Sequence, residues 1–201
     1  MQAVESQTLI LYHSDLRGQW PEEAARSLAR GLPYAKRLEV SAHAARAAAT
    51  LAGIALALHA LAELAGREVS AAELAFPQGG KPHLARSGPA GGPDFSISHS
   101  GHWVGCAAVA HGLVGFDVEL GPGARLTAWA AREAALKACG AGIAEAREVQ
   151  LLEGGALCRG TRLHAKEVDL FAGAAACVMT SVAVGRLEPH AVPLAELFAH
   201  A

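Results

Sequence analysis

The chain has 201 residues, 52% hydrophobic and 18% charged, enough for one large domain or two small ones around a sizeable core. Seventeen basic and 19 acidic side chains leave a formal net charge of −2, so there is neither the basic surplus that drives nucleic-acid binding nor a like-charge run that would make an interaction tail. Local basic pockets are compatible with this balance.

Taken in chain order, Met1 to Leu11 carries neither a basic n-region nor a small-residue cleavage site. Pro21 to Arg30 reads as a helix with Glu22 and Glu23 in its first turn, and His43 to Ala65 as a long helix stopped by Gly66. Arg46, Thr50, His59 and Glu63 interrupt that helix and leave it a broad apolar face. Its longest apolar stretch, Ala47 to Leu58, falls short of the ~20 residues of a bilayer span, so it reads as a core helix of a cytoplasmic protein.

Phe76 to Gly92 is rich in Gly and Pro and reads as loop. Phe95–Ser98, Trp103–Ala110 and Leu113–Leu120 read as strands, the last two joined by His111-Gly112 as a two-residue hairpin turn. Thr127 is placed to cap a helix from about Ala128 to Ala138, with Gly140 as its stop. Leu163–Phe171 and Ala174–Val184 complete the strands. Helices and antiparallel strands without βαβ alternation predict an α+β fold. Cys106, Cys139, Cys158 and Cys177 form no C-x-x-C pair and fit no zinc spacing, so they read as reduced thiols.

Four segments carry candidate chemistry. In Val114-Gly115-Phe116-Asp117-Val118-Glu119-Leu120 the strand alternation gives Val114, Phe116, Val118 and Leu120 one face and Asp117 and Glu119 the other, with Gly115 leaving space beside them. Paired carboxylates suit a hard cation such as Mg²⁺; alone, they read first as the wet face of an ordinary strand. On the helix Trp129 to Ala138, Glu133 and Lys137 share a face. They are either a surface pair worth ~0.2–0.5 kcal/mol or a metal carboxylate one turn from a phosphate-binding ammonium. Phe95-Ser96-Ile97-Ser98-His99-Ser100 and Gly79-Gly80-Lys81-Pro82 offer phosphate donors, or a satisfied His and a solvated Lys.

In order, the chain offers G-K-P, F-S-I-S-H-S, G-F-D-V-E and W-A-A-R-E-A-A-L-K-A between Gly80 and Ala138. This series resembles the 4'-phosphopantetheinyl transferases of the surfactin-synthetase-activating type, whose pattern is G-K-P, F-N-x-S-H-S, G-x-D-x-E and W-x-x-K-E-A-x-x-K. Ser96 stands where that family has Asn, and Arg132 replaces the first Lys of the helix motif.

The resemblance implies a monomeric pseudo-dimer of two similar halves, each a long helix on a three-stranded antiparallel sheet. These map to about 1–112, with CoA-phosphate contacts, and 113–201, with the metal carboxylates. It implies Mg²⁺ on Asp117, Glu119 and Glu133. It also implies coenzyme A phosphates against Lys81, Ser98 and His99, and Lys137 on the pyrophosphate. For the nucleotide 3'-phosphate, Lys36, Arg37 and Arg46 are candidates, with Arg46 best placed. The implied reaction is attack by a serine of an apo acyl- or peptidyl-carrier protein on the β-phosphate of CoA, expelling 3',5'-ADP. Glu133 and Lys137 are the catalytic candidates, and either Glu133 or a water on the metal takes the serine proton. Fatty-acid, polyketide and non-ribosomal peptide carriers all remain open. A Mg²⁺-dependent CoA or nucleotide phosphohydrolase would keep the acidic cluster without needing S-H-S and G-K-P together. An inactive CoA- or carrier-binding module would be expected to have lost a carboxylate or Lys137, and none is missing.

Overall fold

The computed structural model describes residues 7–85, 92–121 and 123–199. The chain opens with β1 (Gln7–Asp15), which the sequence reading did not find, then α1 (Glu22–Gly31), α2 (Tyr34–Ala42) and α3 (Ala44–Ala65). Glu22 and Glu23 in the first turn and Arg30 in the last complement the dipole of α1. Gly66 ends α3 in the left-handed conformation at φ 61°, which glycine adopts without steric cost. Two short strands follow, β2 (Leu74–Ala75) and β3 (His83–Leu84), the latter inside the segment expected to be loop. Residues 86–91 of that segment lie outside the described residues.

Next come β4 (Asp94–Ser100), β5 (Trp103–Val109), β6 (Val114–Leu120) and α4 (Ala124–Ala138), then β7 (Gln150–Leu152), β8 (Gly155–Cys158), β9 (Thr161–Glu167), β10 (Ala174–Thr180) and β11 (Val184–Ala191). The helix α4 starts earlier than expected, with Gly123 rather than Thr127 at its N-cap and no side-chain cap bond. The expected strand Leu163–Phe171 ends at Glu167. The expected run Ala174–Val184 is interrupted after Thr180 before β11 begins.

The fold is mixed α+β with two main sheets. The first has the order β11-β1-β5-β4 and the second β6-β10-β9-β8-β7; β2 and β3 pair by themselves. All pairings are antiparallel except β1 with β11, where the chain's last strand runs alongside its first. The expected β5–β6 hairpin is absent: the turn at His111-Gly112 carries the chain out of the first sheet and into the second. Burial explains this. Phe116, Val114 and Val118 pack in one cluster with Leu9, Leu11, Ala107 and Val109, so β6 lays its apolar face against the first sheet instead of extending it. Leu120 shares that parity yet is 44% exposed.

Three clusters set the layers. α3 packs on one face of the first sheet through residues such as Ile54, Leu58 and Leu61 with Phe95, Val104 and Cys106. The two sheets pack on each other through the cluster around Phe116 and Phe171. α4 covers the far face of the second sheet through Ala130, Ala134 and Leu136 with Leu163, Cys177 and Met179. By length and composition the span Arg46–Ala65 of α3 could cross a membrane, but in this fold Ala52, Ala55, Leu56 and Leu61 are fully buried by the chain's own strands and helices.

Candidate active site at the seam between the sheets

The free edge of β4 lies beside the free edge of β6, and side chains bridge the two. Asp94, Ser96, Ser98 and Ser100 share one face of β4 by strand alternation. Asp94 Oδ2 accepts the Val114 N–H at 2.7 Å, Ser96 Oγ accepts the Phe116 N–H at 3.0 Å, and Ser100 Oγ accepts the Leu120 N–H at 3.0 Å. These hydroxyls and the carboxylate thus satisfy amides that a backbone ladder would otherwise hold. Ser96 needs only its hydroxyl oxygen for this contact.

At the other end of β6 the same row turns from structure to chemistry. Ser98 donates to Asp117 Oδ1 at 2.7 Å, and Ser100 donates to Glu119 Oε2 at 3.2 Å. Lys137 Nζ donates to Asp117 Oδ1 at 2.6 Å and to Ser98 Oγ at 2.9 Å. The i,i+4 spacing pointed to Glu133 as the partner of Lys137; the hydrogen bonds go to β6 and β4 instead. Gly115 makes this possible. A Cβ there would stand 1.8 Å from the Ala134 carbonyl oxygen, so only glycine lets the backbone of α4 come this close to β6. The space beside the carboxylates is therefore filled by the helix that carries Glu133 and Lys137.

Asp117, Glu119 and Glu133 each offer a carboxylate oxygen, and these atoms lie within 4.8 Å of one another. Asp117 is 2% exposed, and its Oδ2 is buried without a hydrogen-bond partner. A buried carboxylate oxygen left bare beside two more carboxylates is the environment a divalent cation relieves. Burial raises the pKa of Glu133 above its ordinary 4.5, the Asp117 charge adds to the rise, and the Lys137 ammonium opposes it.

His99 lies on the opposite face of β4 from Ser98, at the exposed end of the strand. Partial desolvation lowers its pKa below 6.5, helped by the positive charges of Lys137 and Arg46, while Asp117 pulls the other way. All three charges therefore reach the imidazole. Arg46, near the start of α3, lines a small cleft of about 120 Å³ with Glu39, His43 and Thr50. Lys36 is paired with Glu39 at 2.8 Å, and Arg37 lies over the Tyr34 ring.

Lys81 stands apart from this group. Its ammonium donates to Asp94 Oδ2 and, at 2.7 Å, to the Val114 carbonyl, at the far end of the seam. Burial lowers its pKa and the Asp94 charge opposes the shift. Asp94 was not singled out from sequence; its signal was the alternation of small polar acceptors in Asp94-Phe95-Ser96-Ile97-Ser98-His99-Ser100. A second group, Glu63, Glu188 and His190, also places ligand atoms within 4.8 Å, with the Tyr12 hydroxyl donating to Glu63 at 2.7 Å. Its side chains are 27–37% exposed, so it lacks the desolvated carboxylate that marks Asp117. The cysteines are free, and burial pushes the Cys139 and Cys177 thiols up to about 12, away from nucleophilic use.

No protein-family model matches this chain, and no curated protein sequence matches it.

Proposed function

We propose that this chain transfers the 4'-phosphopantetheine arm of coenzyme A to a serine of an apo acyl- or peptidyl-carrier protein, with Mg²⁺ as cofactor. The observation that carries the reading is the meeting of Asp117, Glu119 and Glu133 around a buried, unpartnered carboxylate oxygen, with Lys137 and Ser98 in direct contact with the same Asp117. The motif series from Gly80 to Ala138 supplies the reaction class.

In this reading Asp117, Glu119 and Glu133 hold the cation, which supplies positive charge at the phosphate oxygens. Lys137 keeps an ammonium one helical turn from Glu133, where it neutralises charge that grows as 3',5'-ADP departs. Glu133 or a water held at the cation would take the serine proton. Arg46 lies within electrostatic reach of His99 and carries positive charge toward the nucleotide end, where His99, its pKa lowered, offers a neutral imidazole. α3 on β1, β5 and β4, and α4 on β6, β10 and β8, support two similar halves at about 1–112 and 113–201, with β11 crossing to the first sheet. The enzyme is read as a cytoplasmic monomer.

The test is mass spectrometry of several apo-carrier proteins incubated with this protein, CoA and Mg²⁺. A gain of one phosphopantetheine on the carrier supports the reading. Release of 3',5'-ADP from CoA without a carrier would make the protein a hydrolase, and no reaction with any carrier would leave a binding module.

A further inference from the structure

The candidate metal carboxylates Asp117 and Glu119 stand on β6, while Ser98 and His99 stand on β4. These strands belong to different sheets and share no backbone ladder, so the side-chain bridges along the seam, together with the packing of Phe116 between the sheets, set how β6 lies beside β4 and how Ser98 and Ser100 meet Asp117 and Glu119. Most bridges use a single neutral hydroxyl. The one at Val114 is different. Asp94 Oδ2 accepts both the Val114 N–H and the Lys81 ammonium, and that ammonium also donates to the Val114 carbonyl. Both backbone polar groups of the first residue of β6 are therefore gripped by one ion pair, whose side chains are only 15% and 18% exposed. Charge-assisted bonds are the strong ones along such a seam. Val114 lies three residues from Asp117, ~10 Å along an extended strand, close enough for a shift at one to move the other.

We propose that Asp94 and Lys81 form a clasp on Val114 that fixes the register of β6 against β4, making both of them positioning residues for Asp117 and Glu119. The proposal rests on the reading that this cluster binds a divalent cation. It assigns Lys81 to the seam and not to a CoA phosphate. It accounts for an ammonium on the Gly-rich loop that points to a backbone carbonyl of another sheet, with no hydrogen bond to Asp117, Ser98 or His99 among the described residues.

Asp94→Asn, Lys81→Met and Lys81→Arg in the full chain test it. Mn²⁺ affinity is read by electron paramagnetic resonance and Val114 amide exchange by NMR, with thermal melts and steady-state kinetics alongside. Asp94→Asn and Lys81→Met should speed exchange at Val114 and weaken Mn²⁺ about 10-fold or more, as loss of an orienting partner does. Turnover should fall on the order of 10²-fold, as for a small misplacement of reacting groups, while the KM for CoA stays within about twofold. Lys81→Arg should restore most of both losses. If the parent protein binds no Mn²⁺, the cation reading falls and takes this proposal with it. If the parent binds Mn²⁺ and folded Asp94→Asn and Lys81→Met bind it equally well, the clasp is refuted while the cation reading stands. A raised KM for CoA with unchanged Mn²⁺ affinity would return Lys81 to the phosphate and also refute it. Should Lys81→Met not fold, Asp94→Asn, which keeps the shape and one acceptor, decides by the same measurements.

Discussion

Lys137→Ala tests whether the ammonium is the counter-charge of a buried carboxylate or an ornament of the helix surface. Its Nζ lies 2.6 Å from Asp117 Oδ1, with side-chain exposures of 31% for Lys137 and 2% for Asp117. At that distance the attraction is about 6 kcal/mol at an effective dielectric near 20, before desolvation is subtracted. Removing one partner of a buried pair costs ~3–5 kcal/mol, because the other charge is left uncompensated. Lys137 is a third exposed and Ser98 still donates to Oδ1, so the expected net loss is about 2–3 kcal/mol in metal-free protein. For a chain of this size that is a fall in Tm of about 4–12 °C. The two partners differ in burial, so the effect is asymmetric. Asp117→Asn removes the buried charge and frees an ammonium that reaches water, and should cost ~1 kcal/mol or less. The assay is a thermal melt of both variants in EDTA and again in Mg²⁺, where added cation should restore more to Lys137→Ala than it adds to the parent. A Lys137→Ala protein melting within 2 °C of the parent in EDTA, on the order of 1 kcal/mol or less, would refute this accounting.

The same substitution should lower kcat on the order of 10²-fold at saturating CoA, with Lys137→Arg recovering part, as steady-state assays with an apo-carrier protein will show. Glu133 has a raised folded pKa, so its contribution to stability is present in full below about pH 4.5 and is lost as pH rises through the folded value. Glu133→Gln should therefore raise the Tm of metal-free protein at pH 7, with the gain vanishing below about pH 4.5; equal melts at pH 7 would contradict the shift. Gly115→Ala meets the Ala134 carbonyl and should cost ~3 kcal/mol or more, measured by urea unfolding, because backbone atoms of α4 cannot yield as a side chain can. His99→Ala should raise the KM for CoA with a smaller change toward the carrier protein, and unchanged CoA kinetics would remove it from the phosphate end.

The parts of the fold visible in the sequence are those whose pattern is local. α3 announced itself by a long apolar face and Gly66, β4 and β6 by alternation, and β5 by a continuous apolar run. Asp117, Glu119, Glu133 and Lys137 were singled out from the same periodicities, and the fold brings them together. What was hidden depends on partners far along the chain. His111-Gly112 has the length and residues of a hairpin turn, and nothing local says that Phe116 packs against Leu9 and Leu11 rather than continuing the sheet. Glu133 is the nearest acidic neighbour of Lys137 in sequence, but the approach of α4 at Gly115 makes Asp117 the nearer one in space. β1 carries a legible Leu9-Ile10-Leu11-Tyr12 run that was passed over, whereas β11, with Arg186, Glu188, Pro189 and His190, has little apolar content to mark it. The role of Lys81 was read from its Gly-rich loop, whereas its surroundings are set by Asp94 and Val114.

The pairing of the first strand with the last has a consequence for how this protein is made. On a ribosome adding ~5–20 residues per second, β1 emerges roughly 10–35 s before residue 191, and through that interval one of its edges has no mate. The nascent chain thus displays a row of open amides beside Leu9, Ile10 and Leu11, the kind of edge on which strands from other chains add. Slowing translation of the last third should lengthen this exposure and lower the soluble yield, and a short-lived occupant of that edge during synthesis should raise it.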